Sequence, residues 1–114
     1  MSKSLIISNI LNERNTADIL IYLYLFGPKT RSEIYRSIST NPRMPIKIDL
    51  LEEHGLIRCY TRDQARLRNI ELTPLGKRFA MSLCSLERIL GGNVESFKWD
   101  ILNASMREIE VART

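Results

Sequence analysis

The sequence is poor in cysteine and histidine. Its 114 residues include two cysteines, Cys59 and Cys84, and one histidine, His54. Two cysteines without CxxC spacing cannot build a disulfide framework, so we expect reduced thiols that pack as small hydrophobic groups. Because a metal site needs several ligands at characteristic spacing, His54 and Cys59 predict no metal centre.

Long hydrophobic runs are also lacking. The longest, residues 19–26, has eight residues, whereas a transmembrane helix needs about 20. The first eleven residues contain neither the continuous apolar region nor the small-residue cleavage site of a secretory signal. We therefore expect a soluble, cytoplasmic protein that makes no membrane contact.

No group of residues suggests catalysis. The chain has no glycine-rich phosphate-binding loop, and no serine or cysteine has a recognisable base partner. His54 stands directly before Gly55, a position that suits a cation at the negative end of a helix. We expect neither enzyme activity nor a cofactor.

The chain does have enough apolar residues for one core and an excess of basic residues. Hydrophobic residues make up 44%, and 17 Lys and Arg against 13 Asp and Glu give a net charge of +4. The length is typical of a single domain. The basic excess favours a polyanionic partner.

Hydrophobic periodicity and turn residues predict a mainly α-helical chain with one small β-hairpin. The predicted helices cover residues 3–11, 15–26, 31–38, 42–54, 74–90 and 94–112, and the predicted strands cover 56–62 and 67–72. Four residues whose side chains can accept a hydrogen bond at a helix start are the predicted caps: Asn15, Thr30, Asn41 and Thr73. Glu33 would complete a capping box with Thr30, and Pro42 fits the first helical position after Asn41.

Two short motifs resemble a known family. Two helices are joined by a turn, and the second ends in LLEEHGLI. A basic hairpin and the segment LTPLGKRFA follow. This order resembles winged helix-turn-helix regulators of the MarR-like and related bacterial and archaeal types. The matching residues are Leu51, Gly55, Leu56, Ile57, Leu72, Thr73 and Gly76. The resemblance covers residues 15–90. It implies a winged-helix DNA-binding domain over residues 1–92, followed by a C-terminal dimerisation helix over residues 93–114.

The helix at 42–54, with its cap Asn41, is the recognition helix that this resemblance implies. Such a helix needs one apolar face for docking and one polar face for the major groove. Met44, Ile48 and Leu51 form the predicted apolar stripe, while Arg43 and Lys47 share a face at i, i+4. The residues predicted to reach the groove are therefore Arg43 and Lys47 with their neighbours Asn41 and Met44. A solvated helix face is the alternative. Ile46 and Leu50 share another face, which either covers the hairpin or the N-terminal helix or points outward, where it suits thymine methyl groups or a protein partner.

The hairpin carries four arginines and one acid. Arg58, Arg62, Arg66 and Arg68 are predicted to lie along the DNA flank, because arginine at a hairpin tip can follow phosphates or enter the minor groove. In that family the hairpin tip has the sequence Asp-x-Arg. The corresponding tip here, residues 63–66, is longer by one residue. Protection of an edge strand by charge is the alternative.

Two further cations, Lys29 and Arg31, stand at the start of the helix at 31–38. The resemblance implies that this end approaches the DNA backbone, where helix N–H groups help to hold phosphate. A solvated loop end is the alternative.

The last helix has two apolar rows. One consists of Val94, Phe97, Ile101 and Ala104, and the other of Trp99, Leu102, Met106 and Ile109. We expect a dimer interface made by Phe97, Trp99, Ile101, Leu102, Met106 and Ile109, because paired terminal helices set two recognition helices about 34 Å apart. The alternative is that the helix folds back on its own domain.

Together these features predict a dimeric, sequence-specific transcriptional regulator that binds double-stranded DNA. The alternatives are an architectural, chromatin-type DNA-binding protein and a winged helix used for protein–protein contact. A small-molecule effector could bind between the wing domain and the last helix, although no convergent polar residues mark such a site.

Overall fold

The structure, a computed structural model, describes the backbone of residues 5–61 and 68–113 and the side chains up to Arg107 within those ranges. Its elements in chain order are α1 Ile6–Leu11, α2 Thr16–Phe26, β1 Lys29–Thr30, α3 Arg31–Ser37, α4 Met44–Glu53, β2 Ile57–Thr61, β3 Arg68–Leu72, α5 Pro74–Ile89 and α6 Val94–Arg113. The mainly α-helical chain with a small hairpin is confirmed as a winged helix. Among the described residues, no helix is both long and apolar enough to span a bilayer.

Helix α2 lies at the centre of the core, as its nearly all-apolar surface predicts. Ile19 and Leu20 are completely buried. The predicted cap is wrong in detail: the Asn15 side chain makes no capping hydrogen bond. Its Nδ2 donates instead to Asp18 Oδ2 at 2.9 Å, and its backbone is left-handed with φ 75°.

Helix α3 begins with the predicted capping box. The Thr30 hydroxyl accepts from the Glu33 backbone N–H at 3.2 Å, and Glu33 Oε1 accepts from the Thr30 backbone N–H at 3.1 Å. The hydrogen bond from the Thr30 backbone lowers the pKa of Glu33. The positive end of the α3 dipole also stabilises this carboxylate.

Helix α4 begins two residues later than predicted, at Met44. Asn41 does not cap it, because Asn41 Oδ1 closes a turn by accepting from the Arg43 backbone N–H at 2.8 Å. Arg43 is the residue before the helix, and Pro45, rather than Pro42, lies in its first turn. At the other end Gly55 has φ 73°, a left-handed conformation that glycine adopts without strain.

The sheet has the order β1-β3-β2, with antiparallel pairing throughout. The short strand β1, where Lys29 pairs with Ile70, is not predicted from the sequence. The predicted Thr73 cap of α5 is confirmed, since its hydroxyl accepts from the Gly76 backbone N–H at 3.0 Å. That first turn packs directly on the backbone at Leu56.

Helix α6 joins the same core with one of its two apolar rows. Ile101 is buried at 9% exposure, and Phe97 packs against the core residues. The first half of α6 contacts α3 and α5. The alternative that this helix folds back on its own domain therefore holds for that row.

Candidate nucleic-acid interface

The structure corrects two of the four predictions for the recognition helix. Met44 is 0% exposed and Lys47 is 2% exposed. They lie on the side of α4 that carries Ile48 and Leu51 into the core, so neither can reach a groove while the helix keeps this packing. Asn41 and Arg43, just before the helix, are exposed.

Lys47 is a buried lysine held by a neutral partner. Its Nζ lies 3.5 Å from Asn15 Oδ1 and donates to it, and none of the four ion pairs among the described residues includes it. The alkyl chain of a buried lysine packs like that of an apolar residue. Lys47 therefore belongs to the contact between α4 and the start of α2.

We expect Lys47→Met to leave the free energy of unfolding within about 1 kcal/mol of the parent, because the stem is kept and the charge removed. Lys47→Ala should lower it by about 2–4 kcal/mol, because it leaves a cavity. Urea denaturation of both variants measures this. If Lys47→Met were as destabilising as Lys47→Ala, the contact of the ammonium group with Asn15 would be the stabilising part.

The exposed side of α4 is apolar and acidic. Ile46 is 51% exposed, the Asp49 side chain is 70% exposed, and Pro45 and Glu53 are exposed as well. Leu50 is half-buried beside them. Helix α4 is described in full, and its one basic residue is the buried Lys47.

Four of the predicted DNA-contacting cations form ion pairs with carboxylates. Lys29 Nζ lies 3.7 Å from Glu33 Oε2, and Arg31 Nη2 lies 3.4 Å from Asp49 Oδ1. Arg43 Nη2 lies 3.0 Å from Glu13 Oε1, and Arg58 pairs with Glu71 across the hairpin. These are all the ion pairs among the described residues, so each of them contains a predicted contact residue.

Lys29 and Arg31 have further contacts that hold them. The Lys29 ammonium lies 6.0 Å from the centre of the Phe26 ring, within cation–π range. Arg31 Nη1 donates to the Tyr35 hydroxyl at 3.3 Å, and this hydrogen bond raises the pKa of Arg31. These contacts orient both cations at the start of α3.

The hairpin places Arg58 and Arg68 on its exposed surface. Arg58 is opposite Glu71 in the register and Arg68 is opposite Thr61, and both arginines are exposed. Arg62 and Arg66, which were also predicted to contact DNA, lie outside the described residues. The paired carboxylates were missed because Glu13 and Glu71 are 30 and 13 residues away in sequence from their partners.

The two cysteines are free thiols. Burial, followed by a hydrogen bond and repulsion from Glu52, raises the pKa of Cys59 to about 11. Burial likewise raises the pKa of Cys84. At neutral pH both groups are protonated, whereas the reactive form of a cysteine is the thiolate. In the ranges that the structure describes, no three His, Cys, Asp or Glu side chains are grouped as a metal site would require.

The structure divides the predicted dimer surface. Ile101 belongs to the chain's own core, so its assignment to the dimer interface is wrong, whereas Phe97 is half-buried and packs against that core. Trp99 and Met106 are 58% and 60% exposed, Leu102 is half-buried beside them, and the side chain of Ile109 lies outside the described residues. Helix α5 and the residue after it add four exposed apolar side chains that were not predicted to lie at an interface: Met81, Leu86, Ile89 and Leu90.

A cavity of about 530 Å³ lies between the end of α2, the hairpin stem and the start of α5. Its lining combines Leu23, Tyr24 and Leu72 with the Arg58–Glu71 pair. The volume is in the range of ligand pockets. This is not the groove beside the last helix for which an effector was considered, and that prediction stays untested.

Comparison by sequence finds no relatives. No protein-family model matches the chain, and no curated protein matches it.

Solved structures do match the fold. A transcriptional regulator homologue from Pyrococcus horikoshii OT3 is 25% identical, with a TM-score of 0.60 over 75% of this chain and 90% of that one. MepR, a transcription regulator of the Staphylococcus aureus multidrug efflux pump MepA, is 20% identical, with a TM-score of 0.65 over 95% and 84% of the two chains. Reduced AbfR bound to DNA is 19% identical, with a TM-score of 0.57 over 91% and 81%. The resemblance to MarR-like winged-helix regulators that the motifs indicate is thus confirmed at the level of the fold.

Proposed function

We propose that this protein is a transcriptional regulator that binds double-stranded DNA in a sequence-specific manner as a homodimer. The observation that carries the proposal is the winged-helix fold, which it shares with the Pyrococcus horikoshii transcriptional regulator homologue over 90% of that chain. AbfR, which has the same fold, is bound to DNA in its structure. The cations of this chain at the start of α3, before α4 and on the hairpin support the same role.

Phosphate contacts come from the hairpin and from the start of α3. Arg58 and Arg68 lie exposed on the two strands of the hairpin, and Arg62 and Arg66 stand between them in the sequence. Lys29 and Arg31 stand where α3 presents its N–H groups. These contacts position the protein on the duplex and are independent of base sequence.

Base contacts come from the exposed start and outer side of α4. Arg43 and Asn41 precede the helix, and a guanidinium there can donate to guanine O6 and N7. Ile46, one turn further on and 51% exposed, suits the methyl group of thymine. Met44 and Lys47 have no part in this face, because both are buried.

The first experiment is a titration of a fluorescently labelled random duplex, followed by anisotropy at increasing salt. We expect affinity to fall steeply with salt and Arg68→Ala to reduce the slope of log K against log salt by about one unit, since each phosphate contact contributes about 0.9. Arg107→Ala, which removes an equally exposed arginine from α6, is the control and should leave the slope unchanged.

Three other outcomes would change the assignment. An unchanged slope for Arg68→Ala would remove Arg68 from the contact surface. Strong binding without preference among selected sequences would favour an architectural DNA-binding protein. No binding even at low salt would overturn the proposal.

A second candidate is a protein-interaction module, and one observation favours it. The exposed side of α4 presents Ile46 near its start, followed by the exposed acids Asp49 and Glu53. Such a surface suits a partner with apolar and basic groups. A protein partner that stays bound at high salt, together with absent DNA binding, would support this candidate.

The dimer in this proposal rests on apolar surface that one chain leaves exposed. Trp99 and Met106 of α6, with Ile89 and Leu90 at the end of α5, are all more than half exposed. Exposed apolar patches of this kind mark association surfaces, and a twofold dimer is the commonest closed oligomer. Pairing there would present two copies of α4 to one duplex.

A further inference from the structure

The exposed side of α4 can accept hydrogen bonds but cannot donate them from a basic side chain. Helix α4 has one basic residue, Lys47, and it is buried. The side chains that do face outward include Ile46, Asp49 and Glu53. In the major groove, a carboxylate can accept from the amino groups of cytosine and adenine, whereas the guanine edge presents only acceptors.

Asp49 is the best placed of these carboxylates. Its side chain is 70% exposed, and it follows Ile46 by three residues, which puts both on one helix face. In the free protein Asp49 Oδ1 accepts from Arg31 Nη2 at 3.4 Å. Arg31 is one of the proposed phosphate contacts, whereas Asp49 lies on the helix proposed to contact the bases.

We propose that Asp49 determines specificity by accepting a hydrogen bond from the N4 amino group of a cytosine when Arg31 moves to a phosphate. This inference rests on the proposed function and assigns the base that one position of α4 reads. When Arg31 moves, the Asp49 carboxylate loses its partner, and a charged group left without one in an interface is costly. A cytosine restores the hydrogen bond, while a guanine or thymine edge brings an acceptor against the carboxylate.

The carboxylates of the other ion pairs are not proposed to contact a base after their cations move to phosphates. These carboxylates are Glu33, Glu13 and Glu71, and none of the three belongs to α4. Releasing Arg58 from Glu71 costs the same whatever the base sequence. Glu71 therefore lowers affinity for all duplexes, whereas Asp49 lowers it for duplexes that lack the cytosine.

The test compares affinities for a duplex selected from a random library, for the same duplex with each C·G pair changed in turn to T·A, and for a random duplex. For the parent protein, one of these changes should weaken binding roughly tenfold, which is the discrimination of a good base contact. Asp49→Ala should remove that discrimination and bind the random duplex several-fold more tightly, because a negative charge leaves the surface.

Two matched variants separate this role from a general effect of charge. Glu53→Ala removes the same charge from the exposed side of the same helix, and Glu71→Gln releases Arg58; both should keep the preference for cytosine. Discrimination retained in Asp49→Ala, or lost equally in Glu53→Ala, would overturn the inference while the proposed function stands. If the parent protein binds no duplex at low salt, the proposed function and this inference both fail.

Discussion

Gly76→Ala should lower the free energy of unfolding by about 3 kcal/mol or more. A Cβ at Gly76 would lie 1.8 Å from the carbonyl oxygen of Leu56 and 2.8 Å from its carbon, and both are backbone atoms. Leu56 is held by two backbone hydrogen bonds, one to Leu51 and one from Thr73, each 3.0 Å long. The segment at Leu56 therefore cannot move aside without losing part of the connection between α4, the hairpin and α5.

A matched substitution exists at Gly92. There a Cβ would come within 2.0 Å of Glu87, but the atoms it meets belong to a flexible, exposed side chain. We expect Gly92→Ala to cost less than about 1 kcal/mol, because an exposed side chain can rotate away. Urea denaturation gives both values; a similar loss in the two variants would show that the Gly76–Leu56 approach is not the cause.

This contact gives a physical reason for the motif by which the fold could be recognised. Within Leu-Thr-x-x-Gly, Thr73 caps α5 through the Gly76 N–H, and Gly76 lets the first turn of the helix lie against the backbone at Leu56. The cap is local in sequence, and the approach to Leu56 joins distant residues but is stereochemically strict, because a Cβ does not fit there. The motif therefore predicted the junction of hairpin and helix correctly from a single sequence.

Other local signals were equally informative. The capping box of Thr30 and Glu33 spans three residues and is formed as predicted, and the hairpin strands pair as expected between residues 57–61 and 68–72. The start of α4 was wrong because two local interactions compete for Asn41. Its side chain can cap a helix or close a turn with the Arg43 N–H, and the structure has the turn.

The candidate surface was less predictable because long-range packing decides it. Spacing places Lys47 four residues after Arg43 and also three after Met44, and only the tertiary structure shows that it faces inward toward Asn15. The pairing of Arg43 with Glu13 across 30 residues leaves no sequence signal. The types of residue on the surface were therefore predictable, whereas their partners and orientation were not.

Helix α6 shows the same division within one element. Its two apolar rows are clear in the sequence, but nothing in the spacing decides which row packs against the chain's own core. The structure assigns that role to the row of Phe97 and Ile101 and leaves Trp99 and Met106 exposed. The exposed row is the one that a second copy of the chain could cover.

Trp99→Ala should weaken the proposed homodimer by about 2 kcal/mol or more, roughly 30-fold in the dissociation constant, because buried tryptophans are frequent hot spots of interfaces. Trp99 is 58% exposed in the single chain, so its removal should leave the fold intact. Sedimentation equilibrium measures the change against a monomer mass of 13.2 kDa. Asp100→Ala, an exposed neighbour in the same helix, should leave association unchanged.

The same variant connects association to DNA binding. In a dimer, the two copies of α4 contact half-sites about one helical turn apart, so both sets of base contacts add to one affinity. Trp99→Ala should therefore lose more affinity for a selected two-half-site duplex than for a single half-site, whereas loss of a direct phosphate contact would weaken both alike. A parent chain that sediments as a 13.2 kDa monomer at every concentration would contradict the dimer, and the exposed row of α6 would then need another partner.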